Sequence, residues 1–199
     1  MMREFIVPVA SRGVDNRDMD TRVPVLGIDF GGVINDGSSH PSGDDTTFLS
    51  GGFAEAMETP VMAGAMDAIT RLNALFDGRV WIVSKCGPRI QKRSEDWLAH
   101  HHFFDLTGVS SSHLRFCRQR PEKADHCAEL GVTHFVDDRS DVLRYLVGVV
   151  DNLFLFGGRQ TDGGSHSFNL VKSWAEAEPA IRDSFDDLPG GPPDFVRSD

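Results

Sequence analysis

Apolar runs and amphipathic stretches alternate along most of the chain. Val23 to Phe30 (VPVLGIDF) is a short apolar run closed by Gly31 and Gly32, the pattern of a strand buried on both faces. Ala63 to Phe76 then places Met66, Ile69, Leu72 and Leu75 or Phe76 on one helical face. Asp77-Gly78 is a turn, and Val80 to Val83 (VWIV) is a second strand. Pro88 suits a helix start, and Ile90, Trp97 and Leu98 follow at helical spacings. Leu114 to Cys117 is a candidate short strand. Pro121 opens another helix, which Gly131 stops. His134 to Val136 is a third clear strand, with a helix from Ser140 to Leu146 behind it. Asn152 to Phe156 (NLFLF) is a strand ending at Gly157-Gly158. Trp174 to Phe185 is a last helix that Pro179 is expected to kink or divide.

This alternation predicts an α/β domain with a mostly parallel sheet and helices on both faces. In such sheets ligands bind at the carboxyl ends of the strands, near the switch in strand order. The informative segments are therefore 29–36, 84–87 and 137–141. The expected organisation is a polar lead-in over 1–22, one domain over 23–185, and a flexible tail over 186–199 rich in Pro, Gly and Asp. Within the domain, 36–63 is Gly- and Ser-rich in its first part and reads as a flap or minimal cap.

Composition narrows the class. The 199 residues are 40% hydrophobic and 25% charged, as in globular proteins. No stretch approaches the ~20 apolar residues of a membrane span, and Met1 to Ala10 does not read as a signal peptide. Three widely spaced cysteines, Cys86, Cys117 and Cys127, fit reduced thiols in a cytoplasmic setting, and without a CxxC pair no structural zinc site is expected. A net charge of −10 opposes binding of a nucleic-acid polymer. It leaves room for a small phosphorylated substrate, because a divalent cation and a lysine invert the field locally.

The strand ends carry the candidate chemistry. The first delivers Asp29, followed by Gly31 and Gly32, which let a ligand approach the backbone closely. The second ends at Ser84, a small hydroxyl able to bind an oxyanion. Lys123 lies near a helix start, and the third clear strand ends in Asp137-Asp138, with Asp141 close behind. Carboxylates gathered on neighbouring strand ends raise one another's pKa and destabilise the fold. A hard, oxygen-seeking ion such as Mg²⁺ relieves that repulsion. Singly, each residue also fits a cap, a turn or a structural hydroxyl; the order and spacing together are the signal.

Those segments resemble the haloacid dehalogenase (HAD) superfamily of phosphatases and phosphotransferases, over roughly 24–181. VLGIDFGGVIND resembles the first motif, VWIVSKCG the second, RPEKADHCAELG the third and THFVDDRSDV the fourth, in the family's order. The resemblance implies a HAD-type Rossmannoid fold and a Mg²⁺-dependent phosphomonoesterase that acts on a small metabolite, such as a nucleotide or sugar phosphate, through an aspartyl-phosphate. Asp29 would be the nucleophile, and Ser84 and Lys123 would neutralise the phosphoryl oxygens. Gly31, Gly32 and Lys85 would line the substrate. Asp29, the Gly31 carbonyl, Asp137 and Asp138 would surround the metal, with Asp138 a direct ligand and Asp137 acting through water or from behind. Asp141 is expected to orient Lys123 or a metal-bound water.

One position departs from the pattern. The family's phosphatases carry a second Asp two residues after the nucleophile, as general acid and base, and here that residue is Gly31. Loss of a general acid typically costs ~10²–10⁴ in rate. Asp36, another polar group or a water would have to serve, or the leaving group would need little protonation. Gly31 also supports two alternatives: a catalytically impaired HAD-fold binding or regulatory protein, and another HAD chemistry such as phosphotransfer. Neither gap between motifs has room for a large cap, so an open, capless or minimally capped site is expected, which a second copy in a homodimer could cover. His40 and Asp44 are candidate substrate contacts in the flap. His100-His101-His102 reads as a helix C-terminus rather than a metal cluster, because consecutive helical residues diverge. Cys86 reads as a packed thiol, and Arg89 as either an anion contact or a solvated side chain.

Overall fold

Six strands form one sheet in the order β3-β2-β1-β4-β5-β6, and every neighbouring pair runs parallel. They are β1 (Leu26–Ile28), β2 (Val80–Lys85), β3 (Leu114–Cys117), β4 (His134–Asp137), β5 (Asn152–Phe156) and β6 (Asn169–Val171). The structure, a computed structural model, describes residues 23–37, 46–157 and 168–186. The expected lead-in, the expected tail beyond Asp186, and His40 and Asp44 lie outside those residues.

The helices are α1 (Thr46–Ser50), α2 (Phe53–Met57), α3 (Ala65–Leu75), α4 (Pro88–His100), α5 (Phe103–Thr107), α6 (Glu122–Leu130), α7 (Ser140–Leu146) and α8 (Trp174–Asp186). They cover both faces, as the strand pattern requires. On β5, Phe154 and Phe156 enter one core, with Ile69 and Leu72 of α3, Trp97 of α4 and Trp174 and Ile181 of α8. The intervening Leu153 and Leu155 enter the other, with Cys127 of α6 and Leu143 and Leu146 of α7. This is the period-two alternation of a strand sandwiched between helical layers. Gly27 is the tightest point of β1: a Cβ there would lie 2.4 Å from the Phe135 ring.

The short helices α1, α2 and α5 were not expected, and two further features depart from the sequence reading. Pro179 does not divide α8, which runs unbroken from Trp174 to Asp186. Trp174, Ala177 and Ile181 are fully or almost fully buried on either side of it, and that packing outweighs the lost backbone bond. The edge strand β6 was not expected. Asn169 and Leu170 are exposed, so its three residues carry no apolar run to read.

Strand order positions the site. The chain steps outward from β1 to β2 and β3, then returns to lay β4 against the other side of β1. The switch point therefore falls between β1 and β4. Ile28 pairs with Val136, and the Asp29 amide donates to the Val136 carbonyl at 2.9 Å. Asp29 and Asp137 leave the sheet as neighbours.

Candidate active site

Asp29, Asp137 and Asp138 each offer a carboxylate oxygen within 4.8 Å of the others. Lys123 joins the first two: its Nζ donates to Asp29 Oδ1 at 2.8 Å and to Asp137 Oδ2 at 2.6 Å. The lysine is 1% exposed and comes from the first turn of α6. Asp137 Oδ1 also accepts the Arg139 amide at 3.0 Å. Asp138 has no hydrogen-bond or ion-pair partner for its carboxylate among the described residues.

Electrostatics explains why this cluster wants a cation. Burial disfavours the charge on Lys123, but Asp137 and Asp29 more than restore it and hold the ammonium well above its ordinary pKa. Burial raises Asp137, with Asp29 pushing the same way against the pull of Lys123. Asp138 rises too, through burial first and then the charges of Asp29 and Asp137. With all three carboxylates ionised, the one ammonium would leave two negative charges, a state that burial opposes. Like charges ~4 Å apart repel by about 4 kcal/mol at an effective dielectric near 20. A divalent cation is the charge that cancels this excess, and an all-oxygen donor set suits Mg²⁺. The residues present fit such an ion.

The turn after β1 shapes the cradle. Gly32 has φ +72°, and its amide donates to the Asn35 carbonyl at 2.9 Å. A Cβ at Gly32 would lie 2.5 Å from Asp138 Oδ2, so glycine serves both the backbone and the carboxylate beside it. Gly31 differs. It is exposed, its φ is not left-handed, and a Cβ there would meet nothing within 4 Å.

A cavity of about 340 Å³ opens over these residues. It brings together Asp29, Gly31, Ser84, Lys85, Lys123, Asp137 and Asp138 from the ends of β1, β2 and β4 and the start of α6. Gly32 sits at its edge against Asp138, and Asp36 is not in its lining. Lys85 is exposed at the mouth.

Four sequence expectations meet their outcome here. Asp141 does not bond Lys123: its carboxylate pairs with Arg139 at 3.1 Å and Arg120 at 3.1 Å. Its place in the first turn of α7 turns it to Arg139 and Arg120, while Asp29 and Asp137 fill the lysine's reach. The histidine run ends α4, as expected. His101 Nε2 lies 3.0 Å from the Met57 carbonyl and its ring packs 4.2 Å from Trp97, away from any shared ion site. Cys86 is buried, and burial pushes its thiol up to about 11, so it is a packed thiol. Arg89 is used structurally, donating to the Leu49 carbonyl at 2.7 Å. Asn35 and Arg139 line the cavity from the segments singled out in the sequence, whereas sequence reasoning missed Phe48, Leu49, Ile90 and Arg120 as lining residues. Phe48 and Leu49 lie on a five-residue helix too short to show a period.

Among solved structures, the chain is similar to a protein from Burkholderia xenovorans LB400 described as a haloacid dehalogenase-like hydrolase. The TM-score is 0.56 at 14% identity, over 80% of this chain and 97% of that one. A haloacid dehalogenase-like family hydrolase from Xanthomonas campestris gives 0.55 at 14% identity, over 81% and 96%. The fold is that of the haloacid dehalogenase-like hydrolases. No protein-family model matches the chain, and no curated protein matches it by sequence. The strand order accounts for the placement of the cluster at the β1–β4 switch point. No helix among the described residues is long and apolar enough to cross a membrane.

Proposed function

We propose that the chain is a Mg²⁺-dependent phosphatase that hydrolyses a phosphomonoester through an aspartyl-phosphate on Asp29. The supporting observation is the buried cluster itself, in which Lys123 Nζ bridges Asp29 and Asp137 while Asp138 stands beside them with no hydrogen-bond or ion-pair partner among the described residues. Lys123 engages Oδ1 of Asp29, and Oδ2 is left for attack on phosphorus. The ester's phosphoryl oxygens would lie against Lys123 and the Ser84 hydroxyl, which neutralise charge as it spreads in the transition state. The P–O bond to the alcohol breaks as the Asp29–phosphorus bond forms, and water then releases phosphate from Asp29. The metal, held by Asp29, Asp138 and the Gly31 carbonyl with Asp137 behind them, would supply positive charge to the phosphoryl oxygens. Because Gly31 offers no carboxylic acid and is open to solvent, the leaving alkoxide takes its proton from water.

The same Gly31 supports the rival reading, a HAD-fold binding protein with impaired catalysis. One assay separates them. Hydrolysis of p-nitrophenyl phosphate is measured with and without Mg²⁺, beside Asp29→Asn. Turnover that needs both Mg²⁺ and Asp29 supports the phosphatase. Phosphate-ester binding without turnover supports the rival, and turnover undiminished in Asp29→Asn removes the nucleophile from the scheme.

A further inference from the structure

The cavity lining is chemically mixed. Asp29, Ser84 and Lys123 are among its polar residues, and Phe48 and Leu49 of α1 and Ile90 of α4 add apolar surface. Five residues of helix do not hold themselves together, and α1 is held from outside by two arginines of α4. Arg93, only 9% exposed, donates from Nη1 to the Phe48 carbonyl at 2.6 Å and from Nη2 to the Gly51 carbonyl at 2.9 Å. Arg89 Nη2 donates to the Leu49 carbonyl at 2.7 Å. These cations meet the carbonyls that a helix leaves open at its carboxyl end, where the helix dipole also favours them.

The clamp determines where the side chains go. Phe48 is backed by Phe30 at 5.5 Å between ring centroids, and Phe30 by Trp97 at 5.2 Å. Leu49 remains 47% exposed at the cavity. Among the described residues, Arg93 bonds to carbonyls alone, and these hydrogen bonds offset the cost of burying its charge. Two of the cations that line the cavity, Arg120 and Arg139, pair with Asp141. Beside Lys85 and the Asn35 amide, Phe48, Leu49 and Ile90 give the lining an apolar surface that a leaving group can meet.

We propose that Phe48, Leu49 and Ile90 form the leaving-group subsite, and that the substrate is a phosphomonoester of an apolar alcohol. This rests on the phosphatase reading above, with Arg89 and Arg93 as positioning residues. The test separates the two readings. In the presence of Mg²⁺, calorimetry compares hexylphosphonate with methylphosphonate, which share a head and differ in their tail. Hexylphosphonate is expected to bind about tenfold tighter, from burial of its added methylenes. In Leu49→Asp the preference should fall below about threefold, and Leu49→Met should retain it. Circular dichroism checks that the variants fold. Equal affinities, a preference that survives Leu49→Asp, or no binding of either phosphonate overturns the subsite. In parallel, hydrolysis of hexyl phosphate is compared with that of glycerol 1-phosphate, both esters of primary alcohols. Turnover with a hexyl preference supports both readings. A chain-length preference in binding without turnover keeps the subsite and removes the phosphatase. Turnover of both esters at equal kcat/KM overturns the subsite alone.

Discussion

Restoring an acid at position 31 is the most informative perturbation of the proposed chemistry. Gly31 is exposed, its backbone is not in the left-handed region, and an added Cβ meets nothing within 4 Å. Gly31→Asp therefore introduces a carboxyl with little steric cost and leaves the main-chain carbonyl in place. With the metal bound, the phosphate ester itself brings negative charge next to the new group, which favours its protonated form. A protonated carboxyl next to the leaving oxygen is what a general acid requires. The expected gain in kcat is about 10²–10⁴ for an alkyl phosphate, or roughly 3–5.5 kcal/mol of barrier. For p-nitrophenyl phosphate, whose leaving group needs little protonation, the gain should be less than about tenfold. Initial rates on both esters with saturating Mg²⁺, with Gly31→Ala as the steric control, provide the comparison. A folded Gly31→Asp whose rates match the parent on both esters would refute the argument that the missing acid limits the reaction.

Three further outcomes follow from the same cluster and its surroundings. Lys123→Met leaves Asp29 and Asp137 buried without their cation, and should lower stability to urea by about 3–5 kcal/mol, with a smaller loss when Mg²⁺ is present. Gly32→Ala forces a side chain into the left-handed region at a cost of about 1–2 kcal/mol, and its Cβ displaces Asp138. Calorimetry should find weaker Mg²⁺ binding as well as a lower Tm; unchanged metal affinity would separate Asp138 from the ion. His134, fully buried, has its pKa pushed down to about 4 by that burial. The unfolded chain takes up this proton near pH 6.5 and the folded chain does not, so stability is lost as pH falls from about 6.5 toward 4. Between pH 7 and 5 the loss is about 2 kcal/mol, read from urea midpoints as the part of the pH dependence that His134→Asn abolishes.

Much of this protein was legible one segment at a time. The strand after Val23, the helix of Met66, Ile69 and Leu72, and the alternation at NLFLF each reflect a local period that burial on one or two faces imposes. Parallel strands put their ends on one side of a sheet, so Asp29, Ser84, Asp137 and Asp138 could be grouped from their positions just after apolar runs. Strand order, and with it the choice of the β1–β4 boundary, needed the tertiary structure. So did the partners of each charge: Lys123 reaches Asp29 across 94 residues of chain, and Asp141 turns to Arg120 and Arg139 instead. Arg93 reads in the sequence as an ordinary helical arginine; only the packing of α1 on α4 makes it a buried clamp. Periodicity is written in neighbouring residues, whereas charge pairing depends on which distant segments the fold brings within a few ångströms, and no local pattern encodes that distance.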